Sequence, residues 1–138
     1  MKCFLAYRAS EADLQAMKKL LLAVRNTLNS IDIDTYSVLL DYTAINENSG
    51  REFMDCAFKE IDKSDFILVI QNFSERSEGM LMEVGYCIAK NIPIVVAKQN
   101  KVDDTYLPEM TKYNLSWNDT EDLLKKLVKF KFSKLDIK

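Results

Sequence analysis

The fold class predicted by this 138-residue sequence is α/β, a three-layer sandwich around a five-stranded parallel sheet. Three observations predict it. Short β-branched and aromatic runs alternate with longer stretches whose apolar residues recur every three or four positions, a pattern that makes parallel pairs and right-handed crossovers. One run, "FILVI" at Phe66–Ile70, is apolar throughout, as a strand covered on both faces is. The balance of 48% hydrophobic and 29% charged residues suits one core in a single domain spanning 1–138.

The elements follow in order. "CFLAY", Cys3–Tyr7, is the first strand. Ser10 is placed to cap a helix, with Glu11 and Asp13 in its first turn, where acids favour the dipole. Leu14, Met17, Leu21, Val24 and Leu28 then mark one buried helical face. "TYSVLL", Thr35–Leu40, has the composition of a second strand. "DYTAINENSG", Asp41–Gly50, reads as a turn-rich connection, long enough to be functional. A helix over Arg51–Lys63 buries Met54, Ala57, Phe58 and Ile61. After the third strand, a helix from near Gly79 carries Met80, Leu81, Val84, Cys87 and Ile88 as its apolar stripe, with Glu83 at the border. "IPIVVA", Ile92–Ala97, and Tyr113–Trp117 complete the strands. The terminal helix turns Leu123, Leu124, Leu127 and Val128 inward. The strand order expected of such a chain is the flavodoxin-like 2-1-3-4-5.

Composition excludes several functions. A net charge of -2 leaves no footprint for nucleic acid or an anionic membrane. The chain has no histidine, which removes Ser-His-Asp and Cys-His catalysis and all His-ligated zinc sites. Cys3, Cys56 and Cys87 lack metal-ligand spacing and read as buried thiols of a reducing compartment. With no membrane-length apolar run and no signal-peptide plan at the N-terminus, the expected location is cytoplasmic. Neither a metal nor an organic cofactor is expected.

In a sheet of this order, ligands bind beyond the carboxyl ends of the first and third strands, where the winding reverses. "YRAS", Tyr7–Ser10, and "QNFSERSEG", Gln71–Gly79, meet there. The following helix aims unpaired N–H groups at the crevice, and Glu83 lies one turn in. An acid in that position also suits the helix dipole without any catalytic role. Ser77, at the start of that helix, reads as its cap. No dinucleotide fingerprint or phosphate-loop motif is present. A phosphoacceptor receiver site is excluded by Tyr7-Arg8 and Gln71-Asn72, where acids would be needed.

"FLAY", "IDKSDFILVI" and "SEGMLMEVGYCIAKNIPIVV" together resemble the nucleoside 2-deoxyribosyltransferase family, which includes 2'-deoxynucleoside 5'-monophosphate N-glycosidases. The resemblance runs from Lys2 to Ala97 and is most specific in Gly79-x-x-x-Glu83-x-Gly85-Tyr86. It implies that Glu83 is the nucleophile attacking the anomeric carbon, and a carboxylate near a helix N-terminus is expected to stay ionised. It implies that Tyr7 lines the nucleoside pocket. It further implies that Ser77 and Gly79 hold a 5'-phosphate, with Arg8 or Arg76 as the compensating cation. Family members carry an aspartate eight residues before the one matching Asp65, where it helps expel the base. Here that position is Ala57. Asp55 lies roughly 200° away around the helix, so Asp41 or Glu47 is the alternative acid. The resemblance also implies a small nucleoside or nucleotide as partner and a homo-oligomer. Two other functions compete: a TIR-like NAD-cleaving or signalling domain, and a non-catalytic nucleotide binder of the same fold.

Overall fold

The computed structural model describes residues 1–42 and 50–137. Strands β1 (Lys2–Tyr7), β2 (Asp34–Tyr36), β3 (Phe66–Gln71), β4 (Ile94–Gln99) and β5 (Tyr113–Trp117) form one sheet in the order β2-β1-β3-β4-β5. Every neighbouring pair is parallel, as the alternation of strands and helices requires. The helices are α1 (Leu14–Asn29), α2 (Val38–Asp41), α3 (Gly50–Asp62), α4 (Glu78–Lys90) and α5 (Thr120–Lys129).

Successive strand residues point to opposite faces, so each strand feeds two cores. On one face Leu5, Leu68 and Val95 pack under α1 and α5, against Met17, Leu21, Leu123 and Leu127. On the other, Ala6, Ile67, Val69 and Val96 pack under α3 and α4, against Ala57, Ile61 and Val84. β3 is buried along its whole length, which explains its unbroken apolar run. The carboxylate of Asp65 accepts the N–H of Lys2 at 2.7 Å, fixing the start of β1 at the end of the sheet away from Tyr7.

Five local expectations are corrected. The second strand does not run to Leu40: it ends at Tyr36, and Val38–Asp41 turn into α2. Ser37 Oγ accepts from Leu40 N, and the Asp41 carboxylate accepts from Ser37 N at 2.9 Å. This reciprocal capping overrides the β propensity of the run. Ser10 caps no helix; its hydroxyl donates to Asp13 Oδ2 at 2.8 Å, and a 3-10 turn at Glu11–Asp13 precedes α1. Val128 faces outward, 53% exposed, while Leu123 and Leu127 are buried under α5 and Leu124 packs beside them. On α4, Leu81 and Ile88 are exposed too, and Glu83 takes an inward position. β4 begins two residues later than expected, at Ile94. Of the three free cysteines, Cys3 and Cys87 are buried and Cys56 is half-buried.

The site's location follows from this frame. Tyr7 and Ile70 sit opposite one another at the ends of β1 and β3, and α4 starts just beyond.

Candidate functional site

A cavity of about 550 Å³ opens at the carboxyl end of β1. Tyr7, Ser77, Gly79 and Glu83, all singled out from the sequence, line it together. Its walls come from both sides of the sheet. Ser77, Gly79, Met80 and Glu83 belong to the α4 side, while Leu14 and Lys18 come from α1 on the opposite face. Val38, Leu39 and Tyr42 close a third side, with Phe53 and Met54 of α3. Mostly apolar walls with a few convergent polar groups are what a small-molecule site requires.

Local sequence explains how each group is held. Ser77 is the N-cap of α4, in extended conformation, and its Oγ accepts from Met80 N at 3.2 Å. Gly79 keeps the cavity wall open beside the cap: a Cβ there would lie 3.7 Å from Met54 Sδ and 4.0 Å from Ser77 Oγ. Glu83 is carried inward by the same face of α4 that buries Met80 and Val84. The Tyr7 hydroxyl accepts from Leu39 N at 2.6 Å and shares a 3.0 Å hydrogen bond with Ser37 Oγ. Tyr7 thereby pins α2 over the mouth of β1.

The electrostatics differ from the sequence expectation. Glu83 is only 8% exposed, and burial pushes its carboxyl up to about 8, whereas the helix N-terminus was expected to keep it ionised. Desolvation by burial is the cause. The Glu83 carboxyl therefore holds its proton to higher pH than an exposed glutamate does. The Tyr7 hydroxyl is pushed up to about 12, chiefly by burial, with hydrogen bonds from Ser37 and Leu39 opposing and the Glu83 charge adding to the rise.

Other expected site residues lie elsewhere. Arg8 is 3.9 Å from Asp13 and stacks over the Phe73 ring at 5.2 Å, outside the cavity. Arg76 borders a separate small hollow with Gln71 and Thr105. Asp41 does not line the cavity, because its carboxylate is taken by Arg25 and by the Ser37 N–H. Asp55 pairs with Arg51 at 3.7 Å on the outer side of α3, its side chain 56% exposed. Ala57 is buried in the core under α3. Glu47 lies outside the described residues.

Sequence reasoning missed Lys18, Tyr42 and Phe53. Lys18 carried a usable signal: it sits one turn past Leu14, at the edge of the buried stripe, the same border position that drew attention to Glu83. Tyr42 and Phe53 stack at 4.9 Å between ring centroids, tilted by 52°, across a separation that no local pattern announces. Among the described residues, no cluster of three or more Cys, Asp or Glu is placed to hold a metal ion. No described helix is long and apolar enough to cross a membrane.

No protein-family model matches the sequence, and no curated protein does either. Solved structures do match the fold. A CMP N-glycosidase, BcmB, from Clostridium botulinum superposes with a TM-score of 0.73 at 15% identity, covering 94% of this chain and 100% of its own. A 2-deoxyribosyltransferase from Bacillus psychrosaccharolyticus gives 0.67 at 16% identity, covering 100% and 98%. A conserved protein from Enterococcus faecalis V583 gives 0.64 at 21% identity, covering 94% and 98%. The chain shares the fold of these proteins over nearly its full length.

Proposed function

We propose that this chain is a glycosyl-bond enzyme of the nucleoside 2-deoxyribosyltransferase family, cleaving or transferring at the N-glycosidic bond of a 2'-deoxynucleoside or its 5'-monophosphate. One observation carries the reading: Glu83 and Tyr7 open into the same cavity, at the switch point between β1 and β3. The motif that suggested Glu83 as nucleophile is thus joined to a space large enough for a nucleotide. The shared fold with an N-glycosidase and a deoxyribosyltransferase supports the same assignment.

In this mechanism the ionised Glu83 attacks the anomeric carbon as the bond to the base breaks, and water or a second base then releases the sugar. Burial makes the carboxylate scarce at neutral pH but leaves it without a hydration shell to shed. The N-terminus of α4, with Ser77 and Gly79, is the place for a 5'-phosphate. Three free thiols fit a reducing, cytoplasmic setting. The outer side of α4 offers Leu81, Met82 and Ile88 to a second copy.

A non-catalytic nucleotide binder is the second reading. It is favoured by Ala57, buried where the family carries an acid, and by Asp41, committed to Arg25. Chromatography separates the two. The chain is incubated with deoxynucleoside monophosphates, deoxynucleosides and NAD, and free base or nicotinamide is followed. Base release lost in Glu83→Ala supports the enzyme. Tight binding without release supports the binder, and nicotinamide alone supports a TIR-like activity.

A further inference from the structure

We propose that Lys18 takes the place of the missing acid: its ammonium faces the base of the bound nucleotide and protonates it as it departs. This rests on the glycosidic reading above and says which residue completes that reaction.

Four observations lead to Lys18. First, the acids that the sequence suggested for expelling the base, so far as they are described, are unavailable at the cavity. Asp41 is held by Arg25 and the Ser37 N–H, and Asp55 pairs with Arg51 on the far side of α3. Second, Glu83 is the one carboxylate and Lys18 the one cation among the described residues lining the cavity. Lys18 is half-buried, and no described residue is in ion-pair or hydrogen-bond contact with its ammonium. An ammonium beside largely apolar walls recruits an acceptor from whatever enters. Third, Lys18 and the phosphate end are on opposite sides. Ser77 and Gly79 come from α4 on one face of the sheet, Lys18 from α1 on the other.

Fourth, the Lys18 side suits a planar heterocycle. The Arg25–Asp41 pair ties α2 to α1, and Leu39 packs with the core on that face while Val38 packs with the other, so α2 roofs the cavity from the Lys18 side across. Tyr42, just past the end of α2, adds an aromatic ring in contact with Phe53 of α3 on the far wall. A nucleotide lying across the top of β1, phosphate at Ser77 and sugar at Glu83, therefore brings its base to Lys18.

The step balances. The Glu83 carboxylate forms a C1'–O bond while the C1'–N bond breaks, and that electron pair passes to the base. Negative charge developing on the base's ring nitrogen and carbonyl oxygens is met by the ammonium, which gives up one proton. Water then attacks C1' and the C1'–O bond to Glu83 breaks, restoring the carboxylate. The proton released by that water returns to Lys18. The sum is nucleotide plus water giving sugar phosphate plus neutral base.

The test compares two leaving groups on the same sugar phosphate, a natural base and 4-nitrophenol, which needs no proton to depart. Lys18→Met keeps the stem and removes the charge, while Lys18→Arg keeps the charge; circular dichroism confirms that both fold. Lys18→Met is expected to lower kcat on the natural deoxynucleotide about 100-fold or more, the span of general acid catalysis. On the nitrophenyl compound its kcat is expected to change by less than about threefold, because no proton is called for. Lys18→Arg keeps the charge but gives up no proton, so it is expected not to recover the loss, and full recovery by arginine would overturn the proton transfer. Equal losses on both substrates would assign Lys18 to the common sugar phosphate and overturn the proposal, as would no loss on either. Glu83→Ala distinguishes the parent reading: nitrophenyl cleavage by the wild type, lost in that variant, upholds the glycosidic mechanism whatever Lys18 does. A wild type that cleaves neither substrate removes both.

Discussion

The burial of Glu83, which the proposed nucleophilic role draws on, comes at the expense of stability. Its carboxyl, raised by burial from near 4.5 to about 8, holds a proton in the folded chain that the unfolded chain has already lost. The contribution is fully present below about pH 4.5, declines as pH rises between the two values, and is gone above about pH 8. Within that window the unfolding free energy falls by about 1.4 kcal/mol per pH unit. Glu83→Gln stays neutral and removes the slope. Urea unfolding at about pH 6 and about pH 8 is expected to show the wild type losing about 2–3 kcal/mol that the variant keeps. Parallel losses in the two proteins would show that Glu83 is not desolvated. In the proposed mechanism the same ionisation governs catalysis with the opposite sign. A carboxylate nucleophile makes kcat/KM rise with pH and level off above about 8, and a rate that falls over this range would contradict nucleophilic attack by Glu83.

At the scale of elements, α4 decides the site through its first turn. Replacing Gly79 by alanine meets only ordinary contacts, at 3.7 Å from Met54 Sδ and 4.0 Å from Ser77 Oγ. Alanine is the better helix former, by up to about 1 kcal/mol. Gly79→Ala is therefore expected to raise the melting temperature slightly while increasing KM, since the added methyl sits on the cavity wall. An unchanged KM would mean that substrate does not approach this turn. Ser77→Ala separates two roles that sequence alone leaves open. Loss of the Met80 N–H partner costs about 1 kcal/mol of stability in either case. Only a phosphate cradle adds a KM increase for the monophosphate that the nucleoside does not share. α4 was legible because its cap, its glycine and its inward face all fall within a few neighbouring turns. The end of β2 was not. "SVLL" carries the propensity of a strand, and the deciding partners are Ser37's own cap and an Arg25 pair reaching Asp41 from another helix.

For the whole molecule, alternation and handedness predict a parallel sheet. The 2-1-3-4-5 order is a fold-level expectation that the structure bears out, and the end of the sheet that holds the cavity follows from that order. Residues that close the cavity from a distance could not be read ahead. Tyr42 and Phe53 meet only after α2 and α3 have docked, and nothing local in their segments anticipates that meeting, whereas Lys18 at least stood at the border of the α1 stripe. The outward turn of Leu81 and Ile88 was hidden for a related reason. α4 has more apolar residues than one buried stripe can use, so periodicity could not tell which of them the sheet would cover. Leu81 and Ile88 lie seven residues apart, hence on one side of the helix, and exposed Met82 adjoins them. A Cβ at Gly85, between them, would meet nothing within 4 Å, which leaves room for another helix to approach closely. A second copy presenting the same α4 would cover this surface symmetrically. Sedimentation equilibrium at about 10–100 μM, the range in which modest apolar interfaces hold, is expected to show a dimer or larger assembly. The double variant Leu81→Glu, Ile88→Glu is expected to sediment as a folded monomer, because two like charges would then face their counterparts across the axis. If the wild type itself sediments as a monomer throughout, the outer side of α4 does not pair with itself, and the assembly proposal ends there.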